Sequence, residues 1–171
     1  PQVALADDGL ILDWRAPDVQ LVPRDDGTVG VAMPGYGLTD EPGLPQLPFT
    51  TALIALPPDA SPTLQVLESN ERDLSIGGSL PLAPRPEGVV RDANGRPIAG
   101  AYVPSEASPG VDRRSASAAA LESVGVMRGV RLARVVFYPV RVTGDPPGTH
   151  LRVMTHLRVS VAFNAPARHA Q

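Results

Sequence analysis

Pro42-Gly43-Leu44-Pro45-Gln46-Leu47-Pro48 runs directly into the apolar stretch Phe49 to Leu56, which Pro57-Pro58-Asp59 closes. Each proline ring fixes φ and pushes the residue before it toward β or polyproline geometry, so a helix cannot start here. The stretch itself is apolar on both faces at its centre, the pattern of a central strand covered on both sides. The rest of the chain is punctuated in the same way. Twenty Pro and 16 Gly among 171 residues cut it into brief elements, which favours an all-β architecture over a helical one.

Alternation identifies the other strands. Leu10, Leu12 and Trp14 share one face. Val19 and Leu21 lead into the turn Asp25-Asp26-Gly27, and Val29, Val31 and Met33 return on one face, which makes a hairpin. Pro34-Gly35-Tyr36-Gly37 opens a loop that runs to Gly43. Leu64, Val66 and Leu67 form a strand that the polar run Glu68 to Asp73 ends. No period survives from Pro81 to Gly110, so this Pro-rich segment, with its Asn94-Gly95 pair, reads as one long loop. Ser115 to Ser123 is Ala/Ser-rich and reads as a short helix stopped by Gly125. The parity changes near Ala133-Arg134, which suggests a bulge. Asp145-Pro146-Pro147-Gly148 is a turn. After it, Leu151, Val153, Leu157, Val159, Val161 and Phe163 face one way, while Arg152, His156, Arg158 and Ser160 face the other, in one strand or two end to end. The expectation is an antiparallel β-sandwich, jelly-roll-like, of some ten strands with one short helix and long Pro-rich loops. Residues 1–163 form this single domain and 164–171 begin a linker.

Composition narrows the function. Apolar residues make up 43% of the chain, enough for a core, and no run approaches the length of a membrane span. A net charge of −3 argues against nucleic acid as the partner. All 15 basic residues are Arg, a compositional bias. The absence of Cys removes disulfides, thiolate metal sites and a cysteine nucleophile together, and three His leave few ways to hold a metal. The start, Pro1-Gln2-Val3, carries no signal-peptide pattern.

No catalytic constellation emerges. His150 and His156 lie around a turn and on a polar strand face, and His169 lies in the tail, none near a nucleophile elbow; all three read as surface histidines. Asp7-Asp8-Gly9 and Asp25-Asp26-Gly27 lack the twelve-residue calcium-loop pattern and are explained by turn chemistry. Gly77-Gly78 has no Lys-Ser/Thr after it and is not a phosphate loop. Seven aromatic side chains, one Trp, three Tyr and three Phe, are too few for a stacking platform. The chain does not read as an enzyme, and no cofactor or metal is expected.

The order of features resembles the N-terminal prodomain of gingipain-type cysteine peptidases. The matching pieces are Gly43 to Pro48 before the apolar strand, Leu82-Ala83-Pro84, Met127-Arg128-Gly129-Val130-Arg131, Tyr138-Pro139-Val140 and the closing strand Leu151 to Phe163; together they span Val29 to Phe163. The resemblance implies a β-sandwich that folds ahead of a caspase-like catalytic domain of the same polypeptide, assists its folding and blocks its active site until cleaved off, in a secreted or cell-surface protein. It also implies an inhibitory loop whose Arg occupies the substrate pocket. Arg91 corresponds, with Arg85 and Arg96 as competitors, and a solvated loop Arg is the alternative. A rigid fork of donors suits a carboxylate at a pocket floor. Processing candidates are the dibasic pair Arg113-Arg114, or else a solvated turn, and Arg168. A different class of function stays open: a surface adhesion or accessory β-sandwich binding protein or glycan. A hydrolase domain lacks any supporting constellation.

Overall fold

The structure, a computed structural model, describes residues 1–41, 43–81, 87–91, 97–104, 117–143 and 150–164, with 87–91 and 97–104 described for the backbone. Its strands are β1 (Gln2–Ala6), β2 (Gly9–Arg15), β3 (Gln20–Pro23), β4 (Val29–Ala32), β5 (Gly37–Leu38), β6 (Pro48–Leu56), β7 (Ser61–Ser75), β8 (Glu87–Arg91), β9 (Pro97–Pro104), β10 (Ala119–Met127), β11 (Val130–Phe137), β12 (Val140–Thr143) and β13 (His150–Asn164). Every strand pairing is antiparallel.

The chain is an antiparallel β-sandwich. One sheet is built on β13. Its first rungs pair with β12, its later rungs with β2, and β7 runs along its other edge for the whole length. The second sheet has the order β10-β11-β6-β5. Inward-facing residues of both sheets meet in one core: Leu12 and Trp14 of β2 and Leu157, Val159 and Val161 of β13 pack on Ile54 of β6 and Val135 and Phe137 of β11. Trp14 stacks on Phe137 with ring centroids 6.2 Å apart. Its indole N–H donates to the Tyr36 hydroxyl at 2.6 Å, which gives a buried polar group its partner. Burial pushes the Tyr36 hydroxyl above its ordinary range, with the indole hydrogen bond pulling the other way.

A second core lies beneath the first half of β13. There Val140, Leu151 and Val153 are covered by Val31 and Met33, by Ile76 and Leu80, and by Leu47. The β3–β4 hairpin thus caps the part of the large sheet that the second sheet does not reach. Leu47 comes from the Pro-rich segment, whose shape is held by Thr39. The Thr39 hydroxyl accepts from the Leu47 amide at 2.9 Å, and the Thr39 amide donates to the Leu47 carbonyl at 2.9 Å. The turns follow their sequence chemistry. Asp26 accepts from the Thr28 hydroxyl and amide, and these bonds hold its carboxyl below the usual range. At Gly9, where β1 turns into β2, a Cβ would lie 2.0 Å from the Val161 carbonyl oxygen, so only glycine fits.

Several local expectations are corrected. No helix occurs among the described residues; the Ser115–Ser123 reading fails from Ala119 onward, where β10 is a strand. β6 is buried mainly on one face, with Ile54 inside and Leu53 58% exposed; Gly37 and the Thr39 to Glu41 segment lie against its outer side at Phe49 but leave Leu53 uncovered. β7 continues through Glu68 to Asp73 to reach Ser75, since β13 pairs with it throughout. The expected loop from Pro81 to Gly110 contains the β8–β9 hairpin, and the loop from Pro34 to Gly43 contains β5. The parity change at Ala133-Arg134 is not a bulge in β11, whose pairing with β6 is unbroken; the irregularity lies opposite, between Ser123 and Gly125 of β10. β13 is one strand, with register shifts at Met154/His156 and Arg158/Val159. The described residues hold thirteen strands where ten were expected.

Candidate functional site

Two hairpins stand out from the packed layers. The first is β8–β9. The strands pair with each other and join neither sheet of the sandwich. Glu87 pairs with Pro104, Gly88 with Val103, Val89 with Tyr102, and Arg91 with Pro97, with a register shift between Val89 and Arg91. Arg91 is the last residue of β8 and Pro97 the first of β9. The backbone of Arg91 therefore sits on the outermost rung of the arm, next to the connection that carries Asn94-Gly95. The competitors Arg85 and Arg96, and the processing candidates Arg113, Arg114 and Arg168, lie outside the described residues.

The second hairpin is β10–β11. Its root is core: Ala119, Ala133, Val135 and Phe137 are buried. Its tip extends past the core. Val124, Val126, Met127 and Val130 are exposed, Val126 by 69% and Met127 by 59%. The tip turns through Arg128 at φ +50° and Gly129 at φ +81°, two left-handed residues in sequence as a two-residue type I′ hairpin requires. Between the tip and the β6–β7 turn lies a recess of about 370 Å³ lined by Leu56, Pro58, Val126 and Val130, with Asp59 and Arg131 adding charge. The sequence carried a signal for this tip: a residue followed by Gly between two alternating runs. The helix reading upstream masked it.

A smaller recess of about 150 Å³ lies on the outer side of the second sheet, among Asp40, Glu122, Arg134 and Tyr138. Arg134 donates to Glu122 from Nε at 3.0 Å and from Nη2 at 2.5 Å, so its charge is engaged. On the large sheet, Arg141 and Arg152 meet Glu71.

The described histidines, His150 and His156, do not assemble a catalytic group. His150 Nδ1 meets the Ser75 hydroxyl at 3.2 Å, whereas the carboxylates meet the other histidine: Asp13 at 3.1 Å and Glu68 at 3.5 Å from His156. Nucleophile, base and acid are thus split between two separated rungs of β13. His156 is less superficial than its strand face implies, with its side chain only 12% exposed beneath the two carboxylates. His169 lies outside the described residues. Among the described residues no cluster of three or more His, Cys, Asp or Glu is arranged to hold a metal, and no helix is long and apolar enough to cross a membrane.

The described residues thus form a sandwich with an arm that pairs with neither of its sheets. The pattern of the Propeptide_C25 family matches residues 1–171, and the chain belongs to that family, as a non-catalytic prodomain of the gingipain type. The Lys-gingipain HG66 of Porphyromonas gingivalis is 29% identical over 136 residues, which cover 78% of this chain and 8% of the relative. The Lys-gingipain W83 of the same organism matches equally. The chain thus spans only a small fraction of the relatives' length. Among solved structures, gingipain K of Porphyromonas gingivalis, studied for zymogenic latency, superposes with a TM-score of 0.66 at 22% identity, over 94% of this chain and 89% of that one. A complex of Porphyromonas gingivalis RgpB pro- and mature domains gives 0.64 at 18% identity, over 100% and 91%. At these identities the likeness establishes the fold.

Proposed function

We propose that this domain is the N-terminal prodomain of a secreted or cell-surface gingipain-like cysteine peptidase, that it keeps the zymogen latent by blocking the active site, and that it assists folding of the catalytic domain. The observation that carries the reading is the match to a propeptide family along the whole chain. That match favours a prodomain over the adhesion or accessory module. The partner is the caspase-like catalytic domain of the same polypeptide, in line with the association of pro- and mature domains in RgpB. Residues 1–163 are the inhibitory domain, 164–171 begin the linker, and Arg113, Arg114 and Arg168 are sites for its removal.

The inhibitory element is the β8–β9 arm, and Arg91 is its anchor. An arm that contributes to neither sheet can reach away from the sandwich without unpairing it. If the pocket of the parent enzyme takes a basic side chain, this chain can offer only arginine, since it contains no lysine. The guanidinium brings a planar set of donors that a carboxylate at the pocket floor can accept from two at a time.

The test adds the chain in trans to its mature peptidase. Tight inhibition is expected, and Arg91→Ala should weaken it at least tenfold, about 1.4 kcal/mol. Arg85→Ala and Arg96→Ala are made in parallel. Undiminished inhibition by Arg91→Ala removes Arg91 from the assignment, and a loss in one of the other two transfers the role. No inhibition by the intact chain refutes the latency reading.

A further inference from the structure

We propose that the end of the sandwich formed by the β10–β11 tip and the β6–β7 turn is the surface on which the catalytic domain of the same polypeptide seats. The inference rests on the prodomain reading and adds a second, apolar contact to the arm.

The first observation is chemical. Val124, Val126, Met127 and Val130 leave apolar surface in water on one short hairpin tip. Concentrated apolar exposure of this kind marks interaction sites. Beside it the recess of about 370 Å³ offers room for an incoming apolar side chain. The second observation is conformational. The non-glycine residues with positive φ among the described residues are Asp59 and Arg128. Asp59 lines the recess, and Arg128 precedes Gly129, which lines it from the other side. Left-handed backbone in residues with a Cβ persists only where the surroundings hold it, and it concentrates at functional sites. The surroundings here do hold it: β11 is laddered to β6 up to the pair Arg131–Leu56, and Arg131 Nη1 donates to the Ala60 carbonyl at 2.9 Å. The base of the tip is therefore anchored to β6 and to the β6–β7 turn, which limits the ordering entropy that seating a partner costs.

The third observation names the occupant. Asn164, the last residue of β13, pairs with Ser61, and its side-chain amide donates to the Thr63 hydroxyl at 3.1 Å. Ser61 directly follows Ala60, the residue that Arg131 grips. The chain beyond β13 thus departs from the same end of the sandwich that carries the apolar tip and recess. A domain tethered there meets this surface at an effective concentration in the millimolar range for a short linker, so even a modest apolar contact is filled. The exposed Val22 of β3 lies on the hairpin that caps the other half of β13, and exposed Leu5 of β1 lies across β2 from Val161, near the same end as Asn164; Val22 is thus the distant site and Leu5 the near one. Val22 serves as the control.

The experiment measures binding of the chain to its mature peptidase by calorimetry and inhibition separately, for wild type, the double variant Val126→Asp/Met127→Asp, Leu5→Asp and Val22→Asp. The double variant should bind at least tenfold more weakly with an unchanged unfolding midpoint, while Val22→Asp, made as the distant control beside Leu5→Asp, binds like wild type. Arg128→Asn, which suits the turn better than Arg, keeps the tip formed and should unfold at a higher temperature. It separates a damaged hairpin from a lost contact if the double variant unfolds early. Wild-type affinity in the double variant overturns the surface while leaving the latency reading intact. Binding without inhibition sinks the latency reading and leaves the surface to be judged on affinity alone. A wild-type dimer in light scattering that the double variant dissolves assigns the surface to a second copy and overturns the proposal, as does an intact chain that does not bind.

Discussion

The β8–β9 arm and the β10–β11 hairpin are both two-stranded ribbons, yet only the second is stitched into a sheet. The backbone of the arm pairs with neither layer of the sandwich. The β10–β11 hairpin does two things along one ribbon. Its root supplies Val135 and Phe137 to the core, and its tip carries Met127 and Arg128 into solvent. The difference teaches where a substitution will be felt. On the arm, a substitution is expected to touch binding and leave stability alone; on the hairpin, the two separate only by position along the strand.

That contrast breaks most readily at its root. Phe137→Ala removes a fully buried ring stacked on Trp14 and should cost about 3–5 kcal/mol, read from urea unfolding. A loss no larger than that of an exposed residue would show that the two sheets do not depend on this ring. Tyr36→Phe comes next. It leaves the buried indole N–H of Trp14 without its acceptor, and a destabilisation of about 1–3 kcal/mol is expected. The same variant tests the titration. The folded chain holds the Tyr36 proton more tightly than the unfolded chain, which ionises near the ordinary value of 10.0. Stability is therefore complete below that pH and declines as pH rises through it, a decline that Tyr36→Phe should lessen.

On the arm the expected pattern reverses. Arg91→Ala should leave the unfolding midpoint in place and weaken inhibition by at least tenfold, about 1.4 kcal/mol. A shifted midpoint would mean that the arm is part of the packed structure after all. The smallest effect belongs to the tip. Arg128→Asn should stabilise the domain by up to about 1 kcal/mol, because Asn tolerates the left-handed conformation that Arg128 adopts at φ +50°. A loss of stability would indicate that the Arg128 side chain supports the hairpin.

The sandwich was legible because alternation reports one-sided burial directly. Leu12 and Trp14, Val31 and Met33, and Leu157, Val159 and Val161 all face the cores as their spacing implied. The failures have specific causes. Ala119 to Ser123 has helix-favouring alanines, but Ala119, Ala120 and Leu121 pair with Phe137, Val136 and Val135, and that ladder outweighs a weak local preference. Glu68 to Asp73 looked like the end of a strand because it has no apolar period. As an edge strand with an exposed face, β7 needs only its backbone to pair with β13, and charge on such an edge discourages unwanted pairing. Leu53 looked like core because a leucine outside and a leucine inside are indistinguishable in a run such as Thr51 to Leu56. Of the site, Arg91 was placed by resemblance alone, and the hairpin that carries it stayed hidden because prolines and the register shift after Val89 erase the period of two. The apolar tip was visible as residues but not as a surface, since exposure is decided by what β6 and β7 leave uncovered.

β13 is bordered by β7 on one edge and by β12 and β2 in series on the other, and it is the last of the described strands. During synthesis β2, β7 and β12 must wait for it, whereas β1 and β2 can pair with each other beforehand. The segment around Leu12, paired on its other edge with β1, stays without its β13 partner until Leu157 to Val161 have emerged. Closure of the sandwich is thus timed to the appearance of residue 164, just before whatever follows begins to leave the ribosome. A chain truncated ahead of Leu157 keeps the rungs to β12 but loses nearly all of those that join β2 to the sheet, and the order of translation itself becomes a checkpoint on assembly.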